Sequence, residues 1–167
     1  DAVAVSKGPG SYTGLRIGVS AAKGFCMALD IPLISVDTLK AMAKSQKQQN
    51  ALFCPMIDAR RMEVYTALYD DCGNIKEGIS AKIIDEISFA EELEAGKILF
   101  FGDGAEKCRV TLETHENAIF IEGVNPSAKY VNELALEKFK RKEFENVAYF
   151  EPFYLKDFVA TTPKKLL

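Results

Sequence analysis

The chain has no tryptophan and a single histidine, His115, in 167 residues. A lone imidazole leaves no Ser/His/Asp or Cys/His set that spacing supports, and it stands in a polar stretch, Glu113-Thr-His-Glu-Asn117, that reads as an exposed helix end. Cysteine is sparse as well: Cys26, Cys54, Cys72 and Cys108 are scattered with no C-x-x-C, so buried reduced thiols are expected and no metal site is. Apolar runs stay short of the roughly 18 to 20 residues of a membrane span, and no charged-then-apolar leader is present, so a cytoplasmic protein with no membrane partner is expected. Basic charge is not in excess either. With 21 basic against 24 acidic residues the net charge is −3, and a protein that grips nucleic acid alone needs a basic surface to release counterions. Lys140-Arg-Lys142 and Lys164-Lys165 are the basic clusters, and both read as a solvated helix end or tail.

What the chain does have is apolar content, 48%, ample for a packed core. It also has one unusual stretch, Ser6-Lys-Gly-Pro-Gly-Ser-Tyr-Thr-Gly-Leu-Arg-Ile-Gly18, between a β-prone run ending at Val5 and a helical pattern reaching Leu29. Glycines at such a turn let backbone approach a ligand, a serine or threonine caps the helix, and the first-turn N–H groups face outward at the positive end of the dipole. Gly8, Gly10, Ser11, Thr13 and Gly14 are therefore candidate anion or nucleotide contacts. Neither nucleotide fingerprint fits, because Thr13 stands where G-x-G-x-x-G needs its third glycine and no Gly-Lys pair completes a G-x-x-x-x-G-K-[S/T] loop. A turn chosen only for close helix packing explains the same glycines.

Taken in order, the pattern predicts a strand Val3 to Ser6, a helix from about Thr13 to Leu29, a buried parallel strand Ile31 to Val36, and a helix opened by Asp37 and running to about Gln46. The first helix is rich in small residues, Gly18, Ser20, Ala21, Ala22 and Gly24, while Leu15, Val19, Ala22, Cys26 and Leu29 fall along a stripe. Polar Ser45-Gln-Lys-Gln-Gln-Asn50 is the expected boundary, giving a first lobe over 1–48, a second over 49–151, and a tail 152–167 that returns toward the first. Beyond it, Leu52 to Ile57, Glu63 to Tyr69 and Ile79 to Ile84 read as an antiparallel meander. A helix near Phe89 to Leu93, a strand Ile98 to Phe101, a helix to about Thr114, a strand near Ala118 to Ile121 and a final helix capped by Asn125 with Pro126 in first position follow. Asp58, Arg60 and Arg61 sit at a hairpin turn, where guanidinium forks can bind an anion or where Asp58 simply caps the turn beside solvated arginines.

Gly8-Pro-Gly-Ser-Tyr-Thr-Gly-Leu-Arg-Ile-Gly18, Ile31-Pro-Leu33, Ile57-Asp-Ala-Arg-Arg-Met-Glu-Val-Tyr65 and Pro152-Phe-Tyr-Leu155 together resemble the TsaB (YeaZ) family, over nearly all of the chain. The resemblance implies an α/β, actin-like two-lobed fold with mixed sheets, here opening at Asp1 and so expected to lack the first strands of its N-terminal lobe. It implies a non-catalytic subunit that pairs helix to helix with the catalytic subunit TsaD, joined by the ATPase TsaE, for threonylcarbamoylation of adenosine in tRNA. ATP and a metal would then belong to TsaD, tRNA would be met only through the complex, and the chain would form a homodimer when alone. The expected association surface is Leu15, Gly18, Val19, Ala22, Cys26 and Leu29 with Leu39, Met42 and Ala43 of the next helix. An actin-like ATP-binding enzyme or a peptidase-like protein acting on its own is the alternative.

Overall fold

In the computed structural model, which describes residues 1–156, the strand before the glycine stretch, β1 (Val3–Gly8), leads into α1 (Tyr12–Leu29), β2 (Leu33–Asp37) and the short α2 (Thr38–Ala43). Strands β1 and β2 pair in parallel with Val3 beside Leu33 and Val5 beside Ser35, an arrangement for which the intervening helix α1 supplies the crossover. Alternate residues of this small sheet serve opposite faces. Val3, Val5 and Leu33 pack under Ala22 and Cys26 of α1 together with Val147 and Phe150. Ile34 and Val36 meet Ala41 of α2 and Leu134 and Ala135 of α5 (Ala128–Lys140).

The second sheet has five strands. β3 (Ala51–Asp58), β4 (Glu63–Tyr69) and β5 (Ile75–Ile83) form an antiparallel meander, while β6 (Lys97–Phe101) and β7 (Ala118–Ile121) add in parallel on the far side of β3. This mixed order, β5-β4-β3-β6-β7, leaves β3 and β6 central, and both read as near-continuous apolar runs because each face is covered. One face carries Cys54, Met56, Val64, Leu68, Ile98 and Phe100 against α3 (Ala90–Ala95) and α4 (Ala105–Leu112). The other carries Phe53, Ile57, Ala67, Tyr69, Leu99 and Phe101 against Leu39, Met42 and Ala43 of α2. Among the described residues no helix is long and apolar enough to cross a membrane.

Several sequence expectations are corrected here. β5 begins at Ile75, four residues before the expected Ile79, because its first half is an exposed edge held by the ladder to β4, with Tyr69 opposite Ile75 and Leu68 opposite Glu77, and not by side-chain burial. The last helix is capped by Ser127, whose hydroxyl accepts from the Lys129 N–H at 3.3 Å, so Asn125 and Pro126 lie outside it. Helix α2 stops at Ala43 rather than near Gln46, and Ser45 donates its hydroxyl back to the Met42 carbonyl at 2.7 Å. Helix α5 packs on the first sheet, so the chain returns to that sheet from residue 128 and not first at 152. The polar stretch Ser45 to Asn50 lies between α2 and β3. Lys164 and Lys165 lie outside the described residues.

Gly102, at the end of β6, marks the tightest approach in the second sheet. Its φ is +108°, and a Cβ there would press onto the Met56 carbonyl oxygen and lie 2.7 Å from the Met42 terminal methyl. Gly102→Ala is expected to destabilise the protein by roughly 3 kcal/mol or more, the sum of left-handed strain and overpacking. Urea denaturation measures it, with Gly73→Ala, a positive-φ turn residue whose Cβ would meet open space, expected to cost only the strain.

Candidate functional site

The glycine loop caps α1 as its sequence suggests: the Gly14 N–H donates to the Ser11 hydroxyl at 3.3 Å and the Leu15 N–H to the Ser11 carbonyl at 2.8 Å. Thr13 is exposed in the first turn. Gly8, at φ +117°, does permit a close approach, and the group that makes it is the chain's own backbone, since a Cβ on Gly8 would stand 2.7 Å from the Phe153 carbonyl oxygen. The Phe153 N–H donates to the Lys7 carbonyl at 2.7 Å. The ring of Tyr154 lies 4.8 Å from that of Tyr12.

At the β3–β4 turn Asp58 accepts the Arg60 N–H at 2.8 Å, and its own N–H donates to the Asp103 carboxylate at 3.1 Å. Lys107 of α4 forms an ion pair with Asp58 and donates to the Glu63 carbonyl at 2.7 Å. The Lys107 ammonium, helped by the Arg60 N–H, holds the Asp58 carboxyl below the usual carboxylate range. Of the two readings of this turn, the structure shows the capping one in place, with Arg60 and Arg61 exposed and both at positive φ. Lys107 escaped the sequence because nothing in its spacing links residue 107 to a turn 49 positions earlier.

Three of the cysteines are buried and Cys72 is exposed, which corrects the expectation of four buried thiols. Burial pushes Cys54 up to about 12, and Asp71 raises Cys72. Among the described residues Asp70, Asp71 and Cys72 bring ligand-type atoms within 4.8 Å. The Asp70 carboxylate is already occupied: it accepts from the Cys72 N–H at 3.0 Å and from the Asn74 N–H at 2.8 Å, closing the β4–β5 turn. His115 lies just past α4, half-buried, and accepts the Asn117 N–H at 3.2 Å.

The association residues divide sharply. Ala22 and Cys26 pack on the first sheet, Val19 is buried on the same side of the helix, and Leu39, Met42 and Ala43 sit at 4% exposure or less against the second sheet. These six are therefore withdrawn from any partner surface: of the small residues of α1, Ala22 packs closely on the helix's own sheet, while Ser20, Ala21 and Gly24 are exposed. Leu15 and Gly18 are half-buried, while Leu29 is exposed. The opposite face of α1 presents Ile17, Phe25, Met27 and Leu29 at 60 to 75% exposure, with Ala21, Gly24 and Ala28 between them. Sequence reasoning passed over Ile17, Phe25 and Met27 because the inward stripe explained the helix. The available signal was that 18 residues of helix carry only two charges, and both are drawn aside, Arg16 over the Tyr12 ring and Lys23 to the carbonyls of Ala148 and Phe150.

Comparison with known proteins accords with this architecture. The family model described as TsaD, tRNA N6-adenosine threonylcarbamoyltransferase, matches residues 1–164. Proteins named tRNA threonylcarbamoyladenosine biosynthesis protein TsaB are similar in sequence: that of Haemophilus influenzae is 30% identical across 99% of this chain and 73% of its own length, that of Escherichia coli 30% identical across 96% and 72%. The Bacillus subtilis protein of that name is 39% identical over 60% of this chain, a match spanning 45% of the relative. The solved structure of YeaZ from Pseudomonas aeruginosa superposes with a TM-score of 0.76 at 24% identity, covering 93% of this chain and 73% of that one, which gives the fold as the actin-like α/β architecture. With the chain spanning nearly three-quarters of relatives at 30% identity, and a family model running through almost all of it, it belongs to the TsaB (YeaZ) family.

Proposed function

We propose that the chain acts as a non-catalytic subunit that pairs with a TsaD-type transferase in threonylcarbamoylation of adenosine in tRNA, with a TsaE-type ATPase as third member and with a second copy of itself when TsaD is absent. The carrying observation is the outward face of α1, where Ile17, Phe25, Met27 and Leu29 stand in solvent on an otherwise ordinary amphipathic helix. Fully burying a side chain of this size contributes about 1.5 to 3 kcal/mol, so four of them supply a substantial driving force for association. In a homodimer such a surface would be isologous, α1 meeting α1 across a two-fold axis. The groups at the β3–β4 turn support a subunit without turnover of its own, because Asp58, Lys107 and the Glu63 carbonyl are committed to one another. ATP and a metal would be held by TsaD, and tRNA, given the net charge of −3, would be gripped largely by the partner.

Phe25→Asp is expected to abolish both self-association and co-purification with TsaD while changing unfolding stability by no more than about 0.5 kcal/mol, as for other exposed positions. Light scattering and a transfer assay reconstituted with TsaD and TsaE read this out. Full transfer without the chain, or undiminished capture by the variant, would remove the proposal. Asp58→Asn tests the turn separately. Its native pKa is depressed, so the carboxylate's stabilisation is present above the unfolded-state value near 4 and lost as pH falls through the native one. With Asp58 about half exposed, the variant is expected to cost about 0.5 to 1 kcal/mol near neutral pH. The gap from the wild type should close below about pH 4, and transfer activity in the complex should be unchanged.

A further inference from the structure

Residues Glu151 to Lys156 follow the last packed positions, Val147 and Phe150, and run over the β1–α1 loop. Among the described residues, these contacts hold them: the Phe153 N–H on the Lys7 carbonyl at 2.7 Å, the Phe153 carbonyl against Gly8, the Tyr154 ring against Tyr12, and an ion pair of Lys156 with Glu63 on β4. The first three fasten the segment to the small sheet and the fourth reaches the large one. None of the six residues is buried, and Phe153 is 38% exposed. A segment with so little buried apolar surface opens at far lower free energy than strands such as β3 and β6, whose side chains are largely enclosed.

We propose that Glu151–Lys156 is a strap that closes over the glycine loop, joins it to the β4 hairpin, and opens as a unit while both sheets stay folded. Seated, the strap fills the space beside Gly8 that a ligand's backbone-close approach would need. Open, it frees Lys7 to Thr13 and loosens the start of α1. The position of Phe150 fixes the hinge, because its carbonyl is held by the Lys23 amine at 3.0 Å and its ring packs beneath α1. The device is a property of the chain alone, whatever α1 meets.

Hydrogen exchange followed by mass spectrometry on the purified chain tests it. Phe153→Pro removes the N–H that reaches Lys7, and Tyr154→Ala removes the ring on Tyr12. Each variant is expected to speed exchange about tenfold in peptides covering 7–14 and 151–156, the effect of losing one net contact. Peptides from β3 and β6 should stay within about twofold of wild type, as a local opening demands. Unchanged exchange at 7–14 in both variants would overturn the strap. So would equal acceleration of β3 and β6, which would make the segment part of the global folding unit. Tyr154→Ala, which leaves every backbone hydrogen bond in place, carries the test if the proline variant fails to fold.

Discussion

Helix α2 is where the two sheets become one molecule. Its six residues are too few to persist alone in water, and every one except Lys40 is buried. Ala41 lies among Ile34, Val36, Leu134 and Ala135 on the small-sheet side, while Leu39, Met42 and Ala43 are pressed into Phe53, Tyr69, Leu99 and Phe101 of the large sheet. A helix clamped from two directions cannot tilt toward one sheet without opening a void at the other, and interiors packed to crystal density tolerate little of that. The angle between the sheets, the seat of α5 and the approach of Met42 to Gly102 all depend on this one short element.

Most of the fold was legible because each sheet strand is long enough to show its period. Apolar Ile98 to Phe101 and alternating Glu63 to Tyr69 could hardly be anything else, and Gly102 ended β6 on schedule. Boundaries failed where a local group outbid a stronger prior, as when the Ser127 hydroxyl took the cap from Asn125, or where pairing did what burial usually does, as in the first half of β5. The glycine loop was legible as a place of close approach but not in what approaches it. The partner at Gly8 comes from residue 153, and no sequence period records a contact across that separation.

The association surface shows how a helix with two apolar faces misleads. Val19, Ala22 and Cys26 satisfied a complete amphipathic pattern, and the small residues among them resembled a close-packed helix pair. In the structure Ala22 and Cys26 meet Val3, Val5 and Leu33 of β1 and β2, whose side chains supply the bulk. The larger apolar residues Ile17, Phe25 and Met27 are left exposed on the far side, which the sequence reading assigned to no surface. Burial thus turned one expected surface into core and exposed another on the opposite side of the helix, with Leu29 alone shared by both as an exposed member.

Met27 stands at 75% exposure on that outward side of α1, whereas Met42 and Met56 are shut inside at 1% and below. A thioether so placed is open to peroxide, and conversion to the sulfoxide replaces a pliant apolar group with a polar, chiral one. Oxidation would therefore mark the surface and spare the interior. The sulfoxide, which reductases restore, would sit where α1 is left uncovered, making the redox history of a preparation a determinant of what it sticks to.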